Sequence, residues 1–496
     1  MKVYCIYLIM YLLSCTVRSF QVRLSPLLKL SRRNLSSFRA INNAIPSVTV
    51  LDSKAKLFKD GNPLIYDGAI TSSFGGPKPG EEVLVKDGKG DVFGRGFFNP
   101  YSQYRVRLIA TKEDKLFDSP IGELIQDRIR QAVNLRSALQ LPSSDTDVYR
   151  LINGEGDRLS GLMVDVLGCT VVIQSSAIWV ELNRNTIESA LNAIPALKDK
   201  TLLWRRAESR LKQDGWEHLT VTNSSVQLET EKTVTPSSPS SKGFVTENNI
   251  YYTLCAETDQ KTGFYCDQRD NRHFLRALSG NKTVADVYCY SGGFTLNALY
   301  GGARSVTAID SSLKALETLR ENVVLNGFNG QLSVNQMGPN ATATVTLANT
   351  ATVVETSTMF KPLSNCKQQS LELIKGDAEK CMQDLIDMNR SFDIVVCDPP
   401  KLAPRRTSLE QAMRKYMKIN KSAMKLVNPQ GGLLFTCTCS AAMTQSGKFE
   451  SVLQDAAKFA GREITILKVS GAGSDHTIAA AYPEGRYLTA VLLYVH

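Results

Sequence analysis

"DVYCYSGGFTLNAL", residues 286–299, combines an apolar run with a pair of glycines that lead directly into a helical pattern. The run predicts a buried strand, and glycines at its end let backbone N–H groups approach a ligand at the start of the following helix. A second apolar run, "SVTAID", ends in Asp310, where a carboxylate can bind ribose hydroxyls. Because the glycines do not form GxGxxG, the two strand ends indicate a nucleoside rather than NAD. A plain tight turn is the alternative for the glycines taken alone.

Strands and helices alternate throughout the C-terminal region. "FDIVVCDPP" and "GGLLFTCTCS" are further strands, and helices are expected over 313–325 and 409–426. Alternation on this scale predicts a doubly wound parallel sheet and therefore an α/β fold. One Thr-, Asn- and Ala-rich stretch, 331–369, is longer than the turn needed there and is predicted to be a surface insertion without a chemical role.

Two further acidic residues stand at strand ends. Asp377 lies in "LIKGDA", and Asp398 follows "FDIVVC". The carboxyl ends of parallel strands meet at one edge of the sheet, which is where open α/β folds bind ligands. The prolines after Asp398 stiffen that loop, so Asp398 is expected to face a planar amine or the edge of a base. The alternative is a hydrogen-bonded aspartate with a purely structural role in the loop.

Two cysteines in "LLFTCTCSAAMT", residues 433–444, stand where an apolar strand gives way to small and polar residues. The chain has 11 cysteines and 4 histidines, and no CxxC pair is repeated, so neither a structural zinc site nor a disulfide framework is expected. Cys437 and Cys439 are therefore packing side chains, unless one of them is a nucleophile.

The N-terminal half shows different patterns. Short strands punctuated by Gly, Asn and Pro predict a small β-rich domain, and apolar residues at spacings of three and four predict a helix over 121–139. Strands and a helix over 179–193 follow, before a Ser-, Thr- and Pro-rich segment, 229–243, that is predicted to be flexible. The expected units are a leader at 1–51, a β-rich domain at 52–115, a helical linker with an α+β domain at 116–256, and the α/β domain at 257–496.

The first 51 residues contain seven basic residues and no acidic one. Without them 51 basic residues face 48 acidic ones, instead of 58 against 48, so overall charge gives little support for a nucleic-acid partner. Val3–Leu13 is an apolar run of signal-peptide length that is too short to span a bilayer, and Phe20–Arg39 is rich in Arg and Ser. This order resembles the bipartite leaders of algae with secondary plastids. We therefore expect a plastid location, with a mitochondrial leader or a secretory signal as the alternatives.

Several motifs, taken together and in order, resemble those of one family. They are "GRGFFNPYSQYRVRL" (94–108), "YRLINGEGDRLSGLMVDVLG" (149–168), "QKTGFYCDQRDNR" (260–272), "YSGGF" (290–294), "FDIVVCDPPK" (392–401), "CTCSAAMT" (437–444) and "AAYPEGRYL" (480–488). The chain is similar, over about residues 52–496, to bacterial large-subunit ribosomal RNA cytosine-5 methyltransferases with an N-terminal PUA domain. The resemblance implies a Rossmann-like class I methyltransferase sheet behind a PUA-like RNA-binding domain. It also implies S-adenosylmethionine as cofactor and cytosine in ribosomal RNA as substrate.

The resemblance also implies roles for individual residues. Asp310 would bind the ribose and Asp377 the adenine, Asp398 would lie between cofactor and base, and Cys439 would be the nucleophile, with Cys437 as packing. The residues implied to enclose the methionine part of the cofactor are Lys261, Thr262, Gly263, Asp267, Gln268, Arg269, Ser291, Gly292, Gly293 and Phe294. No metal ligand is expected.

The implied chemistry explains why a cysteine is needed. Carbon 5 of cytosine is a poor nucleophile, and addition of a thiolate to carbon 6 makes carbon 5 electron-rich. Two alternatives stay open: methylation of an exocyclic amine of guanine or adenine without a cysteine, and a non-catalytic RNA-binding protein. The expected partners are ribosomal RNA of the large subunit and, as an alternative to a monomer, a second copy of the chain; no membrane partner is expected for the mature form.

Overall fold

The computed structural model describes residues 45–217, 243–254, 264–328, 342–346, 369–403 and 406–496. Three units follow one another along these ranges: a small β-rich unit, a middle α+β unit and a C-terminal α/β unit. Within the described ranges, no helix combines the length and the apolar character of a membrane span. Most of the predicted leader lies outside them, as does the predicted flexible segment 229–243 apart from Gly243.

The first unit is a six-stranded sheet covered by one helix. Its elements are β1 (Ser47–Val50), α1 (Asp52–Lys59), β2 (Leu64–Tyr66), β3 (Ile70–Phe74), β4 (Glu82–Lys86), β5 (Val92–Phe98) and β6 (Tyr104–Thr111). The strand order is β2-β6-β5-β4-β1-β3. Ala55 and Phe58 of α1 join the apolar core of this sheet, so the helix is held by burial of one face.

Strand β1 shows that this unit begins earlier than the predicted boundary between residues 51 and 52. Ser47–Val50 pairs in parallel with β4 and antiparallel with β3, and Val48 and Val50 are fully buried. A four-residue strand carries too little periodicity to stand out beside a basic leader. The predicted leader therefore extended into the sheet, and the corrected start of the β-rich unit is Ser47.

The middle unit contains a four-stranded sheet of order β10-β9-β8-β7, followed by a hairpin. Its strands are β7 (Val148–Asn153), β8 (Leu162–Leu167), β9 (Thr170–Ser175) and β10 (Thr201–Arg206), with the hairpin β11 (Gly243–Glu247) and β12 (Ile250–Leu254). Its helices are α2 (Ile121–Ala138), α3 (Ile178–Leu182), α4 (Arg184–Asn192) and α5 (Glu208–Gln213). The helix predicted over 121–139 is confirmed as α2.

The helix predicted over 179–193 is two helices. The break falls at Asn183, whose φ of −106° leaves the helical range. Its side-chain amide donates to the carbonyl of Trp179 at 2.7 Å. Asparagine side chains compete for backbone hydrogen bonds in this way, which apolar periodicity alone does not report.

The C-terminal unit has an eight-stranded sheet between two layers of helices. Its strands are β13 (Thr283–Val287), β14 (Ser305–Asp310), β15 (Thr342–Thr346), β16 (Ser370–Lys375), β17 (Ile394–Cys397), β18 (Gly432–Thr438), β19 (Ile464–Ser470) and β20 (Thr489–Val495). Its helices are α6 (Arg269–Leu278), α7 (Gly293–Tyr300), α8 (Leu313–Leu325), α9 (Ala378–Asp387), α10 (Leu409–Leu426), α11 (Ala441–Ser446) and α12 (Phe449–Ala460). Helices α6 to α8 contribute to the apolar core on one face, and α9, α10 and α12 to the core on the other.

The strand order is β15-β16-β14-β13-β17-β18-β20-β19. Strands β16, β14, β13, β17 and β18 run parallel, which confirms the predicted doubly wound α/β fold. The order reverses between β13 and β17, and such a switch point is where these folds bind ligands. Strand β15 belongs to the predicted insertion and pairs antiparallel with β16, so the insertion extends the sheet instead of forming only a surface loop.

A buried ionic cluster joins the middle and C-terminal units. Asp475, in the loop between β19 and β20, is fully buried; it accepts from the backbone N–H of Arg150 at 2.8 Å and pairs with Arg269 at 3.0 Å. Its carbonyl accepts from Arg136 of α2 at 2.6 Å. Burial raises the pKa of Asp475, but the hydrogen bond and charge of His476 and the Arg269 guanidinium outweigh it and hold that pKa well below its usual range. The carboxylate therefore stays charged in the junction.

Candidate active site

The five parallel strands bring their carboxyl ends to one edge of the sheet. The turn after β13 leads into α7, β14 ends at Asp310, and β16 is followed by Asp377. Asp398 and Cys439 follow the ends of β17 and β18. The predicted strand-end residues therefore share one edge, on both sides of the switch point.

The turn between β13 and α7 has an unusual backbone. Tyr288, Tyr290 and Gly292 have backbone φ angles of 67°, 49° and 88°. Residues other than glycine rarely adopt this left-handed region. The backbone N–H groups of Tyr288 and Cys289 donate to the carbonyl of Ile309 at 2.9 and 3.0 Å, which holds the turn against β14. Backbone held in such conformations concentrates at ligand sites.

Both glycines of this turn are required by close packing. A Cβ on Gly292 would lie 2.0 Å from Cδ1 of Leu319, and one on Gly293 would lie 2.8 Å from Cδ of Arg272. Gly292 is also the residue that precedes helix α7. The backbone thus approaches α8 and α6 closely, and the start of α7 faces the edge where the other strand-end groups lie.

Asp310 and Asp377 both hold backbone N–H groups. Asp310 accepts from Tyr290 at 2.9 Å with one oxygen and from Ser312 at 2.8 Å with the other. Asp377 caps α9 by accepting from the backbone N–H of Lys380 at 3.0 Å. Each carboxylate oxygen can accept more than one hydrogen bond, so these contacts leave the predicted ribose and adenine roles chemically feasible.

Asp398 lies across the switch point from that turn. Its backbone N–H donates to the carbonyl of Val287 in β13 at 3.3 Å, and its carboxylate accepts from the side-chain amide of Gln268 at 2.9 Å. Gln268 comes just before α6 and is 5% exposed. The structure therefore brings together a residue predicted for the cofactor and the residue predicted between cofactor and base.

The two cysteines of the late strand have different environments. Cys437 lies inside β18 and is fully buried, and this burial raises its thiol pKa well above the ordinary value. Cys439 lies beyond the strand end, is half-buried, and places its Sγ 3.8 Å from the carbonyl of Pro399. A thiol must ionise to act as a nucleophile, so the environment of Cys437 disfavours it and leaves Cys439 as the candidate.

A buried hydroxyl cluster connects the loops of Cys439 and Asp398. Ser440 is fully buried, and its Oγ accepts from the backbone N–H groups of Leu402 and Ala403 at 3.1 and 3.0 Å. Ser440 also shares a hydrogen bond of 3.0 Å with the hydroxyl of Tyr416, which accepts from Thr438 at 2.8 Å. The residues on each side of Cys439 therefore fix the loop that follows Asp398.

Three residues near this edge were missed at the sequence level. Tyr265 and Tyr290 form an edge-to-face pair with centroids 5.3 Å apart. Burial, followed by the charges of Asp267, Cys439 and Asp398, raises the pKa of Tyr265 to about 12. Both tyrosines lie in quoted motifs, 260–272 and 290–294, but neither received a role of its own, and only the fold shows that they pair.

The third is Asp286 of β13. It is 1% exposed; one carboxylate oxygen accepts from Thr295 at 2.6 Å, and the other has no hydrogen-bond partner within the described part of the chain. Burial, to which the charges of Asp398 and Asp310 add, raises the pKa of Asp286 to about 7. An acid at the fourth position of an apolar strand could have been noticed, because buried carboxyls of this kind cluster at functional sites.

Several other residues that were predicted to contact the cofactor have partners within the protein. Arg269 pairs with Asp475 in the domain junction, and Phe294 is buried in the core against Phe435; their predicted cofactor contacts stay predictions. Asp267 is buried and accepts from the hydroxyl of Tyr487 at 2.9 Å. The positions that lie outside the described residues are Lys261, Thr262 and Gly263.

The edge fits a nucleoside cofactor with an amino-acid part. A glycine turn before a helix, a carboxylate at the next strand end, and an orphaned buried carboxylate oxygen beneath the turn are complementary to hydroxyl and ammonium groups. In the ranges that the structure covers, no group of three or more His, Cys, Asp or Glu side chains is arranged to hold a metal ion.

Two family models match the chain. Residues 48–111 match a PUA-like domain, and residues 232–340 match an S-adenosylmethionine-dependent methyltransferase. The chain therefore combines a PUA-like domain with an S-adenosylmethionine-dependent methyltransferase domain, and the predicted cofactor is confirmed.

Similar proteins cover nearly the whole chain. The ribosomal RNA large subunit methyltransferase I of Klebsiella pneumoniae is 31% identical over 448 residues, which span 90% of this chain and 98% of that protein. The protein of the same name from Alteromonas mediterranea is 30% identical over 445 residues, with the same two coverages. A solved structure described as a methyltransferase complexed with SAH is 16% identical, with a TM-score of 0.66 over 90% of this chain and 99% of its own. A likeness at that identity supports the fold.

Proposed function

Because this chain belongs to the ribosomal RNA large subunit methyltransferase I family, we propose that it methylates carbon 5 of a cytosine in large-subunit ribosomal RNA. The enzyme class follows from the methyltransferase domain and the family. The single observation that supports the base and the atom is the pair Asp398 and Cys439 at one sheet edge. The Cys439 thiol lies 3.8 Å from the carbonyl of Pro399, the residue after Asp398.

In this proposal Cys439 adds to carbon 6 of the cytosine. One S–C bond forms, the electrons of the ring double bond move toward N3, and carbon 5 becomes electron-rich. In its protonated form Asp398, which lies at the neighbouring strand end, shares its proton with N3 and so offsets the negative charge that develops there. S-adenosylmethionine supplies an electrophilic methyl group when it is bound. Loss of the carbon 5 proton and departure of the thiolate then restore the aromatic ring.

Different residues would bind the nucleoside and the methionine part of the cofactor. The start of α7 and the carboxylates of Asp310 and Asp377 would hold the nucleoside, and Asp286 lies beneath the turn that would face the methionine part. The PUA-like sheet of residues 48–111 would bind the RNA, whose target base must be unpaired or flipped to reach Cys439.

Methyl transfer to purified large-subunit ribosomal RNA, followed by mass mapping of the modified nucleoside, tests the proposal. We expect 5-methylcytosine from the wild type and from Cys437→Ala, and none from Cys439→Ala. Transfer that persists in Cys439→Ala, with the label in an N-methylated guanine or adenine, would contradict the cytosine assignment and select methylation of an exocyclic amine.

We also propose that the leader directs the protein to an organelle, with the plastid favoured over the mitochondrion. The support is its seven basic residues, the absence of acidic ones, and the apolar run Val3–Leu13. Residues 1–44, which precede the described sheet, fused to a fluorescent protein should give an organellar signal. A diffuse cytosolic signal would contradict the proposal.

A second copy of the chain is the further proposed partner. Strand β19 is at the edge of the sheet, and Ile466, Leu467 and Val469 of that strand are 43%, 52% and 50% exposed. Exposed apolar edge strands favour pairing with another chain. Light scattering at micromolar concentration should give twice the monomer mass, and Leu467→Lys should restore the monomer; a monomeric wild type would contradict this.

A further inference from the structure

A cavity of about 340 Å³ is lined by helix α11, the ends of β19 and β20, and the loop between these two strands. Its walls include Thr444, Ala472, His476, Ile478, Arg486 and Thr489. Thr489, the first residue of β20, pairs with Thr438, which ends β18 and precedes Cys439. The cavity therefore lies at the same edge of the sheet as Cys439, on the side away from β17.

Hydrogen bonds hold the walls of this cavity together. The hydroxyl of Thr444 accepts from the hydroxyl of Thr489 at 3.0 Å and donates to the carbonyl of Tyr487 at 3.2 Å. The side-chain amide of Gln445 donates to the carbonyl of Glu484 at 2.6 Å. Helix α11, which begins two residues after Cys439, is thereby fixed to the loop. The walls are formed without a ligand, as in most small-molecule sites.

His476 is buried, and the protein uses only one of its two ring nitrogens. Nδ1 lies 3.0 Å from Oδ1 of Asp475, whose carboxylate is charged, so Nδ1 is the nitrogen that donates. Nε2 has no hydrogen-bond partner in the described part of the chain and is not fully enclosed, so the cavity gives a ligand access to it. The histidine side chain is only 2% exposed. A buried polar atom without a partner favours a ligand that bonds to it, and Nε2 of the neutral ring accepts.

The other walls combine a cation with apolar surface. Arg486 is exposed, and no carboxylate of the described residues lies within ion-pair distance of it. Ile478 and Leu488 line the cavity and are 40% and 5% exposed. An apolar wall suits the face of a base, an acceptor suits an N–H group on its edge, and a guanidinium suits a phosphate. A nucleotide carries all three of these groups.

We propose that this cavity binds the nucleotide next to the target base in the RNA strand. The base packs against Ile478 and Leu488 and donates to Nε2 of His476, and the phosphate pairs with Arg486. The inference rests on the proposed function, because a target base at Cys439 brings its neighbours in the strand to the same sheet edge. A base that leaves the stack deprives its neighbour of a stacking partner, and the cavity replaces that contact.

RNAs that lack a single base test the occupant of the cavity. One abasic residue is placed immediately before or immediately after the target, and affinity is measured by fluorescence anisotropy. The wild type should bind one of these two RNAs about tenfold more weakly than the intact RNA, the size of one lost stacking contact. Ala472→Phe, which places a ring in the cavity, should weaken binding of the intact RNA to the same extent. It should show no further loss with that abasic RNA, because both changes remove one contact.

Arg486→Ala tests the phosphate contact at an exposed position, so the test stays decisive if Ala472→Phe does not fold. RNA affinity should fall, and the slope of log affinity against log salt should decrease in magnitude by about 1, because one phosphate contact is lost. Arg304→Ala is the matched control. Arg304 is also exposed, but it precedes β14 at the opposite edge of the sheet, so this variant should keep the wild-type affinity and slope.

The cavity and the proposed function fail in different ways. A wild type that methylates cytosine but binds both abasic RNAs as tightly as the intact RNA overturns the role of the cavity alone. Wild-type affinity and slope in Arg486→Ala overturn the phosphate contact. A weaker affinity of Arg486→Ala for S-adenosylmethionine, measured by calorimetry, assigns the cavity to the cofactor and overturns the RNA role. A wild type that methylates an exocyclic amine overturns the proposed function, while its loss of affinity for one abasic RNA would still support the cavity.

Discussion

Two thiols separated by one residue differ in burial because the strand ends between them. Positions two apart in a strand face the same side, so the sequence spacing could not assign one of them to the site. Strand β18 ends at Thr438; Cys437 is fully buried before that point and Cys439 is half-buried after it. The nucleophile role of Cys439 came from the family resemblance and stays a prediction, which the burial of Cys437 supports.

Asp286 gives a prediction that needs no substrate. Its folded pKa of about 7 lies above its ordinary value of 3.8, so the folded state holds a proton that the unfolded state releases between these values. The contribution of Asp286 to the free energy of unfolding therefore has its full value at low pH and falls as pH rises toward 7. Asp286→Asn, which cannot ionise, should lack this decline.

Urea denaturation of the cofactor-free protein at a series of pH values measures the unfolding free energy of the wild type and of Asp286→Asn. The difference in unfolding free energy between Asp286→Asn and the wild type should grow in favour of the variant from about pH 4 to pH 7 and then level off. A difference that does not change with pH would show that Asp286 titrates normally in the folded protein.

The periodicity of apolar residues was sufficient to predict a helix or strand wherever one pattern extended over the full element. The helices predicted over 313–325 and 409–426 are α8 and α10, and Asp310 and Asp398 stand at the ends of parallel strands. Periodicity failed for short elements such as β1 and at the helix break near Asn183. Strand β1 depends on a partner strand that is distant in sequence, and the helix break depends on the local hydrogen bond of Asn183.

The side-chain contacts of the site could not be predicted in the same way. The motif "DQR" places Gln268 and Arg269 side by side, yet one meets Asp398 and the other meets Asp475. Adjacent residues at the start of a helix point in different directions, and their partners lie more than a hundred residues away. Motif membership alone therefore cannot separate a site residue from a packing residue.

Asp310 at the end of β14 holds the turn between β13 and α7, and these contacts predict the effect of Asp310→Ala. The change removes hydrogen bonds to Tyr290 and Ser312 together with the proposed bonds to the ribose. Affinity for S-adenosylmethionine should fall by roughly 1.5 to 3 kcal/mol, measured by calorimetry.

Asp393→Ala is the matched control for that measurement. Asp393 also holds a neighbouring strand, by accepting from the backbone N–H of Thr283 at 2.9 Å, but it precedes β17 at the opposite edge of the sheet. Its variant should lose stability and keep its cofactor affinity. Unchanged affinity in Asp310→Ala would remove Asp310 from the site.

Buried charge holds the middle and C-terminal units of the molecule together. The Asp475 junction was not predicted, because its partners are spread over α2, β7 and α6 and a single aspartate in a loop has no periodic signal. Asp475→Asn removes the buried counter-charge of Arg269 and leaves it only the more distant and exposed carboxylate of Asp270, at 3.5 Å. The free energy of unfolding should fall by about 3 kcal/mol, measured by urea denaturation.

The same junction has a defined pH dependence. The folded pKa of Asp475 lies below its ordinary value of 3.8, so its contribution is complete above that pH and is lost as pH falls through the folded value. Glu188→Gln, which breaks the exposed pair with Arg184, is the control and should change stability by about 0.5 kcal/mol or less. Equal effects of the two variants would contradict the structural role of the junction.

If this molecule attacks cytosine through Cys439, the covalent complex between the enzyme and the RNA can be trapped. With 5-fluorocytosine at the target position, carbon 5 has no removable proton after methyl transfer, so the bond between Sγ and carbon 6 should persist. On a denaturing gel, wild type and Cys437→Ala should each give a cofactor-dependent protein–RNA band, and Cys439→Ala should give none. A band that persists in Cys439→Ala, or that disappears only in Cys437→Ala, would show that Cys439 is not the nucleophile.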